Sequence, residues 1–166
     1  FTDVNEDAYY FDAVLWAVKN GVTSGTTATT FAPSATCTRA QAVTFLWRAM
    51  GSPEPTMTGN PFSDVAANTY YYKAVLWAVE QGITVGTTDT TFSPNAHCSR
   101  AQIVTFLWRS AESPKASAVN PFADVATDAY YADAVLWAAE EGITSGTTET
   151  TFSPNADCTR AQIVTF

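Results

Sequence analysis

The chain predicts a mainly α fold: three helix-loop-helix repeats in a pseudo-threefold arrangement around a central three-helix bundle. Three observations predict it. The chain repeats itself at a fixed interval, each copy carries two segments with helical periodicity and start signals, and the second of these segments is apolar on most sides.

The repeat comes first, because self-similarity at a fixed period decides the architecture. Phe-x-Asp-Val occurs at Phe1, Phe62 and Phe122. Ala-Val-Leu-Trp-Ala starts at Ala13, Ala74 and Ala134. Gly-Thr-Thr-x-Thr-Thr-Phe starts at Gly25, Gly86 and Gly146, and Cys-(Thr/Ser)-Arg-Ala-Gln at Cys37, Cys98 and Cys158. Copies follow one another after 61 and then 60 residues. The repeats are read as 1–51, 62–111 and 122–166, the third incomplete at its C-terminal end. The linkers 52–61 and 112–121 are rich in Pro, Ser, Gly and Ala, the composition of connectors. The chain starts at Phe1 without Met and stops inside a repeat, which reads as a fragment of a longer protein.

The first helix of each copy is expected to open at Asp7, Asn68 and Asp128, all good N-cap types. Tyr10, Ala13, Val14, Ala17 and Val18 then form one stripe. Gly21, Gly82 and Gly142 stand where a C-terminal glycine ends a helix. A Thr-rich loop of about 16 residues follows, whose β-branched residues allow a short extended piece but no sheet. The second helix opens at Thr38, Ser99 and Thr159, where Thr/Ser-x-x-Gln makes a capping box. Val43, Phe45, Leu46 and Trp47 leave it apolar nearly all round, so it is buried. The second helices therefore belong in the middle and the first helices outside.

Composition excludes several functions. The 166 residues are 46% apolar and 14% charged, with a net charge of −8 and a pI near 4.4. Such a surface repels nucleic acid and anionic lipid. No apolar run approaches the roughly 20 residues needed to span a bilayer. No Ser/His/Asp set, metal-ligand spacing or phosphate loop is present. The Asp residues recur singly in each copy rather than as an unequal pair with separated pKa values. The expectation is no catalytic residue, no metal and no cofactor.

Five arginines stand out. Arg48 and Arg109 lie late in the second helices, where a cation suits the macrodipole, and call for no functional explanation. Arg39, Arg100 and Arg160 directly follow the N-cap, where a cation opposes the dipole by about 0.3–1 kcal/mol each. A helix N-terminus with free N–H groups attracts anions, and an added guanidinium completes a carboxylate or phosphate receptor. The alternative is a salt bridge from each Arg to Asp3, Asp64 or Asp124.

The order Phe-x-Asp-Val, aromatic, Ala-Val-x-Trp-Ala, Gly-(Ile/Val)-Thr-x-Gly, Phe-x-Pro, Thr-Arg-Ala-Gln resembles the S-layer homology domain, over nearly the whole chain except the linkers. The resemblance implies a pseudo-threefold trimer of domains. It implies grooves between them that bind secondary cell wall polysaccharide, typically carrying ketal-linked pyruvate. It also implies an extracellular setting at the Gram-positive cell wall or surface layer. Arg39, Arg100 and Arg160 match the family's groove arginines, and Thr38, Ser99 and Thr159 the hydroxyl before them. Asp3, Asp64 and Asp124 match the acid of the first motif. Tyr9, Tyr70 and Tyr130 stand where the family often has Trp. Gly25, Gly86 and Gly146 match the loop glycine whose backbone approaches the sugar. Each groove is expected to combine Arg from one repeat with Asp and Tyr from another.

Two departures matter. The family's Glu is Gln in every copy, which keeps the capping box and removes a negative charge beside the Arg. The usual Ile is Cys37, Cys98 or Cys158, read as a small buried hydrophobe stapled onto Ala42, Ile103 or Ile163. Trp16, Trp77 and Trp137 are read as packing against the next repeat, with sugar stacking as the alternative, and His97 as a solvated loop residue. The function expected is a non-catalytic cell-wall anchor. The alternative is an assembly module whose grooves bind protein segments of a surface layer or appendage, which would make other surface-layer proteins its partners.

Overall fold

A computed structural model describes all 166 residues and contains six α-helices and no strand. The first helices are α1 (Phe11–Lys19), α3 (Tyr72–Glu80) and α5 (Ala132–Glu140). The second helices are α2 (Arg39–Ala49), α4 (Arg100–Ser110) and α6 (Arg160–Thr165).

The second helices start where the capping box predicts. Thr38 Oγ1 accepts from Gln41 N at 3.3 Å, and Thr38 N donates to Gln41 Oε1 at 3.2 Å. The same reciprocal pair holds at Ser99 and Thr159. The first helices start three residues later than Asp7, Asn68 and Asp128. Tyr10, Tyr71 and Tyr131 occupy the N-cap, with no side-chain cap. Two successive i→i+3 turns (Ala8 N to Asn5 O, then Phe11 N to Ala8 O) occupy residues 5–11, so the α-helical bonding that an Asp cap at residue 7 would start is delayed. The C-terminal ends follow the glycine rule. Gly21 has φ +71°, Gly21 N donates to Val18 O, and Val22 N donates to Ala17 O, the paired bonds of a Schellman ending.

The three copies close head to tail. α2 packs on α3, α4 on α5, and α6 on α1, so each second helix lies against the first helix of the next repeat, and the last repeat returns to the first. Around the axis the backbones form a ring. Cys37 N donates to Cys158 O, Cys158 N to Cys98 O, and Cys98 N to Cys37 O, at 2.8–2.9 Å. All three thiols are fully buried and free. They lie in one core cluster with Ala42, Ile103, Phe45 and Phe106, with Ile163 packed against it. Burial pushes the Cys98 and Cys158 thiols up to about 12, and Cys37 higher still. The predicted extended piece forms no strand; it is held by isolated bonds, such as Thr2 N to Thr29 O and Thr26 N to Thr30 O, both at 2.8 Å.

The linkers are strapped down. Trp47 Nε1 donates to Pro53 O and Trp108 Nε1 to Pro114 O, both at 2.8 Å. The Glu80 and Glu140 carboxylates accept from Thr56 and Ser117. Trp77 is 5% exposed and Trp137 half-buried, whereas Trp16 on α1 is 53% exposed beside the shorter α6.

Candidate functional site between the repeats

Each groove is assembled around one of the arginines at the head of a second helix. Arg160 is 3% exposed. Its Nε donates to Phe31 O of the first repeat at 2.8 Å. Its guanidinium lies over the Phe31 ring at 4.7 Å and the Phe45 ring at 5.2 Å. Arg39 repeats the arrangement with Phe92 O (2.9 Å) and the rings of Phe92 and Phe106. Arg100 does so with Phe152 O (2.9 Å) and the rings of Phe152 and Phe166. The aromatic sandwich and the carbonyl hold each guanidinium plane rigidly. Burial lowers all three guanidinium pKa values from their ordinary level.

None of the three pairs with an acid. The one Lys or Arg salt bridge present is Lys73–Glu54, which is exposed. Asp3 instead spends both oxygens on backbone: Oδ1 accepts from Phe31 N at 2.8 Å and Oδ2 from Ala32 N at 2.7 Å. Asp64 and Asp124 grip Phe92–Ser93 and Phe152–Ser153 in the same way. Ala32 has φ +58°, a left-handed geometry that costs a non-glycine residue about 1–2 kcal/mol. The carboxylate clamp offsets that strain. Phe31 therefore links the chain of support, with its N–H on Asp3 and its carbonyl and ring on Arg160. The salt-bridge alternative does not hold.

The helix N-termini are not free either. Arg39 N donates to Ala96 O and Ala40 N to Pro94 O of the next repeat's loop, at 2.9 and 3.0 Å. Equivalent bonds serve Arg100 and Ala101, and Arg160 and Ala161. With Gln41 N on Thr38 Oγ1, the first turn has no spare donor. An anion arriving here meets the guanidinium, not the helix end. That guanidinium has capacity to spare: the Nη2 atoms of Arg39 and Arg160 are buried with no partner. Arg100 Nη2 reaches only Thr144 Oγ1 at 3.5 Å.

The groove of Arg160 is a cavity of about 290 Å³, lined among others by Ser24 and Gly25 of repeat one, Thr44 and Arg48 of α2, and Tyr70 of repeat two. Each groove thus draws on all three repeats. Tyr130 lies within electrostatic reach of Arg39, and Tyr9 of Arg100. The acid and the tyrosine near each Arg come from different repeats, which corrects the two-repeat groove expected from the motifs. Tyr9, Tyr70 and Tyr130 are 68%, 59% and 62% exposed and rest edge-on against Tyr10, Tyr71 and Tyr131 at 5.0–5.1 Å. Gly25 has φ +91°, and a Cβ there would meet Thr30 O at 2.5 Å, so no other residue fits. Its N–H is taken by Thr23 Oγ1. His97 is exposed, as expected of a loop residue, and its Nδ1 lies 2.8 Å from Asp157 Oδ2 of the next repeat.

The phenylalanine pairs and Arg48 and Arg109 escaped the sequence reading. Phe31, Phe92 and Phe152 close a signature that recurs in all three copies, but nothing local shows that their carbonyls and rings face an arginine some 50 or more residues away. Arg48 fits the helix dipole so well that its place in a groove is hidden.

The profile of the S-layer homology domain matches residues 1–43, 61–104 and 121–164. The chain is 32% identical to the Surface-layer 125 kDa protein of Lysinibacillus sphaericus over 92% of its length, covering 13% of that protein. It is 31% identical to an Endoglucanase of Bacillus sp. (strain KSM-635) over 98% of its length, covering 18% of it. It is 24% identical to an S-layer protein of Bacillus thuringiensis subsp. finitimus over its whole length, covering 20%. The chain thus spans a fifth or less of these relatives. Three in-order profile matches on a closed ring of three helical repeats establish that the chain belongs to the S-layer homology domain family, as a cell-surface module.

Proposed function

We propose that the chain is a non-catalytic cell-wall anchor that binds secondary cell wall polysaccharide in its inter-repeat grooves, through a carboxylate such as that of a pyruvate ketal. One observation carries the proposal: Arg39 and Arg160 are buried cations with no acidic partner and an Nη2 that makes no hydrogen bond, and Arg160 lines a groove between the repeats. An unpaired buried charge costs several kcal/mol. A protein with 16 acidic and 8 basic residues could easily have paired them. An incoming carboxylate supplies the missing counter-ion and accepts the free N–H groups. The exposed Tyr9, Tyr70 and Tyr130 rings offer flat faces for the sugar, and Thr38, Ser99 and Thr159 retain a hydroxyl proton to donate. Asp3, Asp64 and Asp124 act by positioning the loop that carries Gly25, Gly86 and Gly146.

Pelleting with purified Gram-positive sacculi tests this. The protein should co-sediment with native walls and stay in solution with walls stripped of non-peptidoglycan polymer by acid. Arg39→Gln with Arg160→Gln should reduce pelleting at least tenfold while the helical circular dichroism persists. Unchanged pelleting on stripped walls, or by the double variant, would sink the proposal.

The assembly reading has one observation in its favour. An apolar cavity of about 290 Å³ lies between the second helices, lined by Phe45, Leu46, Phe106, Leu107 and Phe166 and bordered by Trp16. A monomeric mass by light scattering at high protein concentration would count against it.

A further inference from the structure

Arg48 reaches the groove of Arg160 from the last turn of α2, and the two guanidinium groups line the same cavity. Arg48 is half-buried, and its Nη1 donates to Val22 O at 3.2 Å, which fixes the fork at the cavity edge. Tyr70 lies within electrostatic reach of both arginines. Arg109 holds the corresponding place on α4: its Nη1 donates to Ile83 O at 3.0 Å, and Tyr130 is within reach of both Arg109 and Arg39.

Neither Arg48 nor Arg109 makes an ion pair. Two guanidinium groups on one small cavity repel each other, and a single carboxylate engages only one fork bidentately. A ligand with two negative centres satisfies both forks and removes their repulsion. The cavity's ~290 Å³ equals roughly ten water molecules, enough for one sugar ring with its acidic substituent. A second acid group on that sugar or on its neighbour then faces the second arginine. The helix dipole alone asks only for a positive charge at this end, and a lysine would meet that need without a planar fork anchored to a loop carbonyl.

We propose that Arg48 and Arg109 are specificity-determining residues. They make the grooves of Arg160 and Arg39 receptors for a polysaccharide segment bearing two negative charges. This rests on the anion-binding reading above.

The test is an NMR titration of the 166-residue protein, following the arginine Nε–Hε signals. The probes are acetate as monoanion, and malonate and succinate as dicarboxylates of two spacings. At least one dicarboxylate should shift Arg160 with Arg48, and Arg39 with Arg109, along a single curve about tenfold tighter than acetate, corresponding to about 1.4 kcal/mol. R48Q with R109Q keeps a donor for Val22 O and Ile83 O. It should bring dicarboxylate affinity at Arg160 and Arg39 down to that of acetate. If the wild type binds acetate and both dicarboxylates equally at Arg160, or if R48Q/R109Q keeps the preference, the two-charge assignment is wrong and the anion-binding reading stands. If no probe shifts Arg160 or Arg39, both readings fall together.

Discussion

At the scale of single residues, the cysteines and arginines show how position overrides chemical type. Cys37, Cys98 and Cys158 have reactive side chains but are fully enclosed, and the thiolate form is strongly disfavoured by burial. Reactivity requires thiolate and access. Iodoacetamide at pH 8 should therefore leave the native protein unmodified for hours and label three thiols promptly once denaturant is added, as read by intact mass. Fast native labelling would contradict the enclosed ring. The arginines show the opposite case. A charged group is stripped of water, held between two rings and, at Arg39 and Arg160, left with an unused donor. The recurrence of Arg39, Arg100 and Arg160 after a cap was readable as an anomaly, and in the structure all three are buried cations without an acidic partner. Its expected partner, the helix terminus, was wrong, because the carbonyls that satisfy it come from a loop 50 to 130 residues away in sequence. Local patterns carry no trace of such a contact.

Among the elements, those defined by neighbouring residues were legible and those defined by the fold were not. The capping boxes at Thr38, Ser99 and Thr159 and the glycine endings at Gly21, Gly82 and Gly142 follow from residues within four positions of one another. The first-helix starts were misplaced because Asp7, Asn68 and Asp128 are plausible caps, but two consecutive i→i+3 turns follow or span them before the α-helix begins. The loop from Gly25 to Pro33 also depends on a distant residue, the Asp3 clamp. Donation from Phe31 N–H, joined by Ala32 N–H, holds the Asp3 carboxyl below its ordinary value against a lesser opposing effect of burial. For Asp124 burial pushes upward, and the Phe152 and Ser153 N–H bonds outweigh it. A carboxyl whose folded pKa is depressed stabilises the fold above its unfolded pKa, near 3.8, and loses that contribution as pH falls below it. Thermal melts should therefore be level in this respect from pH 7 to 5 and decline steeply below pH 4. Asp3→Asn with Asp124→Asn should melt lower at pH 7 and show a shallower acid slope. An identical slope in that variant would remove the clamp from the account.

For the whole molecule, head-to-tail closure makes the repeats interdependent. Each groove takes its arginine, its loop and its tyrosine from three different copies, and each second helix is covered by the next copy's first helix. Stability should not partition by repeat. Calorimetry should show one transition with van't Hoff and calorimetric enthalpies in agreement. Residues 1–111 alone should lose the cooperative transition, because α1, the loop of repeat one and the grooves of Arg100 and Arg160 would lose their partners. Two or three separable transitions would mean that the copies fold as independent beads. The threefold arrangement itself was legible from the period and the buried second helix. The direction in which the copies meet was not, since either order satisfies the same hydrophobic pattern.

The circuit of Cys37, Cys98 and Cys158 backbone bonds has a consequence for how such a module can grow. Linear repeat stacks lengthen by adding a unit at either end, because each unit leaves an open face for the next. Here the third amide donates to the second carbonyl, the second to the first and the first to the third, so no face remains on which a fourth unit could seat. Copy number is thereby quantised at three, and such a module can grow only by adding whole trios, each bringing its own complete set of grooves.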